Sequence, residues 1–121
     1  MTIYNLTQHL PTPTQEEAGV GKPLEGASML LDFKTYDEAV NETADRAIQL
    51  VRLLHAAGAP SGARVMIGGA PFLMGPLVAH LKEQEFIPVF AFSVRESEDI
   101  PQPDGSTKKV AVFRHVGFLP A

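Results

Sequence analysis

The sequence predicts an α/β domain with a three-layer, Rossmann-like architecture and a mostly parallel sheet of four to five strands, completed by an antiparallel C-terminal edge strand. The 121 residues suit a single domain, which we assign to residues 1–121. Short apolar runs alternate with segments of helical periodicity, and this alternation favours parallel strands joined by helices. A Pro-Asp-Gly turn at residues 103–105 precedes the last apolar run and allows it to return as a hairpin.

The N-terminal segment predicts a strand followed by a short helix. A run of strand-forming residues covers Thr2–Leu6. Thr12 can cap the helix, Pro13 can begin it, and Gln15 can complete a capping box. Closely spaced helix-breaking residues then end this helix: Gly19, Gly21 and Pro23.

A second strand and the longest helix are predicted next. The apolar run Ser28–Phe33 predicts the strand. Thr35 and Glu38 form a second capping box, and apolar residues with helical spacing continue the helix to a C-terminal cap at Gly58. Several polar residues predict its solvent-exposed face: Asp45, Arg46, Gln49 and Arg52.

The second half of the chain predicts a strand, a helix and two further strands. A short apolar run that ends in glycines, Arg64–Gly69, predicts the third strand, and a helix follows over residues 71–84. Phe86–Ser93 predicts a fourth strand with Pro88 near its beginning, where a missing N–H is tolerated. Residues 96–107 predict a long polar loop, and residues 108–118 predict the last strand.

Composition narrows the class of protein. The chain has no cysteine, which excludes disulfides, zinc ribbons and a thiol nucleophile and fits a cytoplasmic protein. No apolar run reaches the ~18–20 residues that span a bilayer, and the N-terminus lacks signal-peptide features, so no membrane partner is expected. The net charge of −4 argues against long nucleic acid as a partner, but a local basic site can still bind a small anion such as a nucleotide.

The candidate site residues follow the predicted strands. Ligands in open parallel sheets bind beyond the carboxyl ends of the strands. Lys108 begins the antiparallel last strand and would lie at the same edge. The residues that follow the first, third and fourth strands are Thr7, Gln8 and His9, then Gly68 and Gly69, then Ser93, Arg95 and Ser97.

Gly68 and Gly69 predict either an anion site or an ordinary tight turn. Two glycines let the backbone approach a ligand closely, and the next helix would offer free N–H groups to a phosphate. The Walker pattern and the full Rossmann fingerprint are both missing, because no lysine or third glycine follows at the required spacing. Both interpretations therefore stay open.

His9, Ser93 and Arg95 are the candidate catalytic residues. A histidine can act as acid, base or hydrogen-bond donor, and Arg95 can bind phosphate bidentately between the hydroxyls of Ser93 and Ser97. Thr7, Gln8, Gly68, Gly69, Ser97 and Lys108 would bind the ligand. The structural alternatives are a loop histidine that caps a neighbour and a solvated loop around Arg95.

Neither a metal nor a cofactor is predicted. The four histidines are scattered, and none forms a helical ligand pair with a carboxylate. A serine-hydrolase motif is also missing. Arg114 and His115 alternate within the last strand, toward its opposite end, where a structural or subunit-interface role is favoured.

Four segments carry two family resemblances: IYNLTQHLPTPTQEEAGV, IGGAPFLMGPLVAHL, PVFAFSVRES and VFRHVGF. Together they resemble an uncharacterised family of small bacterial, phage-borne or plasmid-borne proteins. The first strand, the loop with His9 and the helix start at residues 10–15 also resemble stand-alone CRISPR-associated Rossmann-like (CARF, ring-nuclease-type) proteins. The second resemblance implies a homodimer that binds cyclic oligoadenylate across its subunit interface. It also implies metal-independent cleavage, in which a ribose 2′-hydroxyl attacks the neighbouring phosphate. The matching positions are Thr7, Gln8, His9, Gly68, Gly69, Ser93 and Arg95.

Three functions remain open on this basis. The first is a small-nucleotide binding protein, of cyclic-oligonucleotide type, that acts as a homodimer with or without ring-nuclease activity. The second is a non-enzymatic interaction or inhibitor module of phage or plasmid origin that pairs through the C-terminal strand. The third is an enzyme that acts on a phosphorylated or nucleoside substrate in the same cleft.

Overall fold

One mixed sheet organises the chain. The computed structural model describes residues 2–121, with the backbone alone at position 113. In chain order the elements are β1 (Ile3–Leu6), α1 (Pro13–Glu17), β2 (Val20–Pro23), α2 (Ala27–Leu31), α3 (Tyr36–Ala56), β3 (Arg64–Ile67), α4 (Pro71–Glu83), β4 (Ile87–Pro101) and β5 (Thr107–Pro120). The described strands form a five-stranded sheet in the order β2-β1-β3-β4-β5.

Strand pairing confirms a mostly parallel sheet with an antiparallel C-terminal edge. β1 lies parallel to β2 and to β3, and β3 lies parallel to β4. β5 runs antiparallel to β4. Pro88 is the second residue of β4, near the beginning of the strand as predicted.

The helix ends confirm both predicted capping boxes. Thr12 accepts a hydrogen bond from the backbone N–H of Gln15, and the Gln15 side chain accepts one from the backbone N–H of Thr12. Thr35 and Glu38 cap α3 in the same way. Gly58 adopts a φ of +77° just past the end of α3, as its predicted role in the C-terminal cap requires.

The prediction of a strand over Ser28–Phe33 is wrong, because this segment contains most of helix α2. Ala27 and Leu31 lie four residues apart and are both buried, so one helical face packs against the core. A short apolar run does not by itself distinguish a strand from a buried helix. Gly26, with a φ of +89°, makes the turn that leads into the helix.

The sequence prediction missed β2. Its glycine and proline suggested a helix-breaking loop, yet Val20–Pro23 pairs with β1 at the edge of the sheet. An edge strand tolerates proline because one side of its backbone needs no partner. Val20 is buried beside Ile3, which fixes the strand against the sheet.

The predicted loop over residues 96–107 is also wrong, because β4 and β5 continue through most of it as a long hairpin. β3 pairs with β4 only as far as Val89, so beyond this point β4 has β5 as its sheet neighbour. Asp104 shapes the turn by accepting hydrogen bonds from the N–H and the hydroxyl of Ser106. We call residues 93–101 and 107–115 the distal ribbon.

Arg46 corrects the prediction of a uniformly solvent-exposed face on α3. Its side chain is buried, and its guanidinium donates a 2.8 Å hydrogen bond to the carbonyl of Asp32, just past the end of α2. It also pairs with Glu42 at 3.1 Å and lies over the ring of Phe33. The carbonyls at a helix C-terminus lack intrahelical partners and favour a cation, which explains why an arginine is buried there.

The core consists of two clusters. The larger one joins the buried residues of α2, α3 and α4 to one face of the sheet, through side chains such as Leu50, Leu77 and Val65. The smaller one contains only strand residues: Ile3, Val20, Met66 and Val89, with Phe118 packed against them. The three-layer arrangement therefore stays a prediction. Over residues 2–121, no helix is both long and apolar enough to cross a membrane.

Candidate functional site

A cleft opens at the carboxyl ends of β1 and β3, next to Phe90 and Ala91 in the first half of β4. Its volume is about 380 Å³. Its position agrees with the rule that parallel sheets bind ligands beyond the carboxyl ends of their strands. The lining residues are Thr7, Gln8, His9, Gln15, Met66, Ile67, Gly68, Gly69, Phe90 and Ala91.

Asn5 fixes the loop that follows β1. It is fully buried, and its Oδ1 accepts hydrogen bonds from the N–H of Thr7 at 2.9 Å and from the Thr7 hydroxyl at 2.7 Å. Its Nδ2 donates to the carbonyls of His9 and Gly21, both at 3.1 Å. One buried amide therefore holds the loop and β2 together. The sequence prediction missed this role, although an asparagine inside a run of strand formers was the available signal.

The loop of Thr7, Gln8 and His9 presents its side chains in different ways. Thr7 is buried, and its hydroxyl also accepts a hydrogen bond from the N–H of His9. Gln8 donates from Nε2 to the carbonyl of Ser28 in α2 at 3.2 Å. His9 is exposed, so its imidazole is accessible to a molecule in the cleft. The structure thus brings all three predicted residues to one place.

The turn of Gly68 and Gly69 forms the opposite side of the cleft. Gly69 has a φ of +148°, which disfavours any side chain, and an added Cβ would lie 3.6 Å from Leu31. An added Cβ on Gly68 would lie 3.6 Å from Thr7, so the two loops approach closely. Ala70 precedes α4 and supplies no side-chain cap to its first turn. Backbone donors can therefore serve a ligand here.

Gln15 is a cleft residue whose contact with this site the sequence prediction missed. It is 9% exposed and lies in the first turn of α1. Its Oε1 is held by the backbone N–H of Thr12 at 3.1 Å. The capping pattern was visible in the sequence, but only the tertiary fold brings α1 alongside the carboxyl ends of β1 and β3.

The described lining of the cleft is uncharged. It contains no lysine, arginine, aspartate or glutamate, and His9 is its one titratable side chain. A ligand would therefore meet hydrogen-bond donors and no lysine or arginine: backbone N–H groups, the Gln15 amide and the His9 ring. Such a site can hold an anion through oriented dipoles without a countercharge.

Ser93, Arg95, Ser97 and Lys108 lie on the distal ribbon and do not line the cleft. The reason is that β4 does not end where the sequence suggested, so these residues sit within paired strands. Lys108 pairs with Ile100 at the ribbon tip, which is roughly 30 Å along the strand from the Ala91 position. The prediction that Lys108 lies at the carboxyl edge of the parallel strands is wrong. The functional roles of Ser93, Arg95, Ser97 and Lys108 stay predictions.

Arg114 and His115 border a second cleft, between the ribbon and the start of α1. The pairing of β4 with β5 is irregular between Phe92 and Ser93. His115 is paired with Ser93, directly beside this irregularity, and lines the second cleft. Arg114 pairs with Glu96 at 3.1 Å and with Glu98 at 3.6 Å on the exposed surface of the ribbon. These contacts lie within the ribbon, and the structural role of Arg114 stays a prediction.

No metal site is apparent in residues 2–121, since no group of three or more histidine, aspartate or glutamate side chains is arranged to hold an ion.

Glu38 is a carboxylate whose pKa is shifted by its surroundings. Hydrogen bonds from the backbone N–H groups of Lys34 and Thr35 lower the pKa of Glu38, with a smaller contribution from Arg46. This carboxylate caps α3 and is not a lining residue of the cleft.

Comparison with known proteins places the chain in a family of unknown function. No curated protein and no solved structure shows significant similarity to it. A family model matches residues 1–119, almost the whole chain. The match confirms the resemblance to an uncharacterised family of small proteins, and it carries no information on phage origin or on CRISPR-associated relatives. The chain belongs to the uncharacterized protein MJ1673 family.

Proposed function

We propose that the protein binds a small nucleotide-type ligand in the cleft at the carboxyl ends of β1 and β3. One observation supports this most directly. The turn of Gly68 and Gly69 lies far along the sequence from the loop at residues 7–9 and from Gln15, yet all three segments line the cleft. The groups that can donate hydrogen bonds there are the His9 ring, the Gln15 amide and backbone N–H groups at the glycine turn. A cleft of about 380 Å³ lies within the range of small-molecule sites, roughly 300–1,000 Å³.

A cyclic oligonucleotide is larger than one such cleft, so its binding calls for two. We therefore include a homodimer in the proposal, with the two clefts on a shared ligand. Large apolar side chains are exposed near this end of the sheet, and such side chains favour a protein interface. They are Leu10, Met29, Tyr36 and Phe72. Sedimentation velocity over a range of concentrations tests this part, and a monomer with and without ligand would contradict it.

A ring-nuclease reaction would extend the binding function. The ribose 2′-oxygen attacks the adjacent phosphorus, the bond to the 5′-oxygen breaks, and a 2′,3′-cyclic phosphate and a free 5′-hydroxyl result. His9 is the cleft residue that can accept the 2′-proton or return a proton to the leaving oxygen. Ser93 and Arg95 are outside the cleft of their own chain, so in this proposal the ribbon of the second copy supplies them.

The experiment combines the purified protein with a panel of cyclic oligonucleotides in the presence of a chelator. Chromatography measures cleavage and thermal shift measures binding. A shift with cleavage supports a metal-independent nuclease. A shift without cleavage supports a binding protein that stores or senses the ligand. Neither a shift nor cleavage would reject the nucleotide proposal and favour the alternative below.

The alternative is a non-enzymatic interaction module, and the specific observation in its favour is the position of β5. This strand is the edge of the sheet over its whole length, so its outer backbone groups can pair with a strand of another protein. Lys108, Lys109 and the register shift near His115 oppose such pairing, because edge charges and bulges discourage it. A pull-down from host lysate with the intact chain tests the alternative, and recovery of no partner would count against it.

A further inference from the structure

We infer that Gln15 contacts the ligand directly and that the cleft selects a singly charged phosphodiester over a terminal phosphate. The inference rests on the proposed nucleotide function and adds a binding residue and a ligand class to it. The observation behind it is the geometry of one buried side chain at the edge of the cleft.

The capping box determines which atom of the Gln15 amide remains available to a ligand. The backbone N–H of Thr12 is a donor, so the atom 3.1 Å away must be the amide oxygen of Gln15. The Nε2 group is then directed away from Thr12. Within the described chain, it has no hydrogen-bond partner. Gln15 is 9% exposed and lines the cleft. The inference therefore assigns its two unused N–H donors to a molecule bound there.

The capping box also explains why glutamine is a good choice at this position. The side chain is immobilised before the ligand arrives, so little rotamer entropy is lost on binding. Since its oxygen is already occupied, the amide recognises acceptors and not donors. Phosphate oxygens and nucleobase ring nitrogens have this property, and sugar hydroxyls meet it less specifically.

The charge of the cleft narrows the ligand class further. The described lining residues include no lysine, arginine, aspartate or glutamate. A terminal phosphate carries nearly two negative charges at neutral pH, and its transfer from water without a countercharge is more costly than that of a singly charged diester. Neutral donors such as the Gln15 amide and the backbone N–H groups suit the diester.

The test compares two variants that separate the cap from the ligand contact. Gln15→Glu keeps an acceptor for Thr12, since glutamate completes a capping box as well as glutamine does, but it removes both donors. We expect its melting temperature to stay within about 3 °C of wild type and its affinity to fall about tenfold to hundredfold. Thr12→Ala should lower the melting temperature and keep the wild-type affinity, because it removes the cap acceptor and leaves the Gln15 amide in place.

Two further variants distinguish the loss of the amide donors from the effect of an added negative charge. Thr14→Glu adds the same charge one residue away, on a side chain that borders the second cleft, and should bind normally. If it loses as much affinity as Gln15→Glu, the effect is only long-range repulsion and the inference is overturned. Gln15→Met removes the donors without adding charge and must also bind weakly, which keeps the test decisive if the glutamate variant is unstable.

The probes are a cyclic oligoadenylate, AMP and the methyl ester of AMP, measured by calorimetry at pH 7.5. The inference predicts that the methyl ester binds more tightly than AMP, because the two differ mainly in phosphate charge. Equal or tighter binding of AMP would overturn the charge selection. Wild-type affinity in Gln15→Glu would overturn the direct contact, although nucleotide binding itself would stand. Failure of the wild-type protein to bind any probe would instead reject the proposed function and this inference together.

Discussion

The body of the protein and its distal ribbon use the same sheet in opposite ways. In the body, which comprises β1 to β3, the helices and residues 87–92 of β4, side chains such as Leu50, Leu77 and Val65 are completely buried. In the ribbon, the two strands pair with each other over many residues, yet nearly all the side chains of residues 93–101 are exposed. The body is stabilised by packed layers, and the ribbon mainly by its own hydrogen-bond ladder.

This difference indicates that the packed body provides most of the stability and that the cleft lies where the body meets the ribbon. A two-stranded hairpin alone is marginally stable in water, so the ribbon depends on its attachment to the body. The cleft lies at the junction, because Phe90 and Ala91 line it just before β4 becomes the ribbon. Truncation of buried side chains in the body should therefore reduce the stability of the protein, whereas changes in the ribbon should have little effect on it.

Amide hydrogen exchange should show the largest contrast. We expect amides of the ribbon, such as that of Glu98, to exchange at least about a hundredfold faster than amides at the centre of α3, because ribbon opening does not require global unfolding. Mass spectrometry or NMR at constant pH measures both. Equal protection in the two regions would mean that another molecule binds the ribbon. If that protection decreases on dilution, the molecule is a second copy of this chain.

Truncations of one large apolar side chain in each region should give the next largest contrast. Leu77→Ala removes a fully buried side chain from the larger core cluster and should reduce the free energy of unfolding by about 2–5 kcal/mol. Ile100→Ala affects a side chain of the distal ribbon that is 43% exposed and should cost less than about 1 kcal/mol. Urea denaturation of both variants measures these values. Similar losses of unfolding free energy in the two variants would contradict the proposed difference between the body and the ribbon.

Two amide side chains extend the comparison to polar contacts. Asn5→Ala leaves the buried N–H of Thr7 and two carbonyls without their partner, and should cost about 2–3 kcal/mol. Gln102→Ala removes an exposed hydrogen bond to the carbonyl of Ile100 at the ribbon tip and should cost less than about 0.5 kcal/mol. Urea denaturation again provides the measurement, and a mild Asn5 variant would show that water can replace this amide.

The pH dependence of stability should give the smallest contrast. Hydrogen bonds from the backbone N–H groups of Lys34 and Thr35 hold the pKa of Glu38 below its ordinary value of 4.5. Because the pKa is lowered on folding, the contribution of Glu38 is present above pH 4.5 and is lost as pH falls through the lowered value. The melting temperature of Glu38→Gln should thus fall less between pH 6 and about pH 3 than that of wild type.

Asp104 is the ribbon counterpart of this carboxylate. Hydrogen bonds from the hydroxyl and the N–H of Ser106 lower the pKa of Asp104. Asp104→Asn should nevertheless leave the pH dependence of the global melting temperature unchanged, since the ribbon tip opens without the body. A reduced pH dependence in Asp104→Asn would show that the tip and the body unfold together.

Sequence patterns predicted the fold well where a signal was local. The caps at Thr12 and Thr35, the periodicity of α3 and the glycine turn after β3 are all confirmed. Predictions failed where neighbours decided the outcome. Arg46 is polar and on a helix, yet it is buried because α2 ends beside it. The segment after residue 93 is polar, yet it is a strand because β5 pairs with it.

By itself the sequence determined the short-range features: helix starts, tight turns, the alternation of strands and helices, and the polar loop of Thr7, Gln8 and His9. These depend on backbone geometry and hydrogen bonds within a few residues. Only the tertiary structure decided that Gln15 shares the cleft with this loop, while Arg95 and Lys108 lie along the ribbon. The physical reason is that strand pairing, which joins residues far apart in sequence, set where β4 ended and which side chains met.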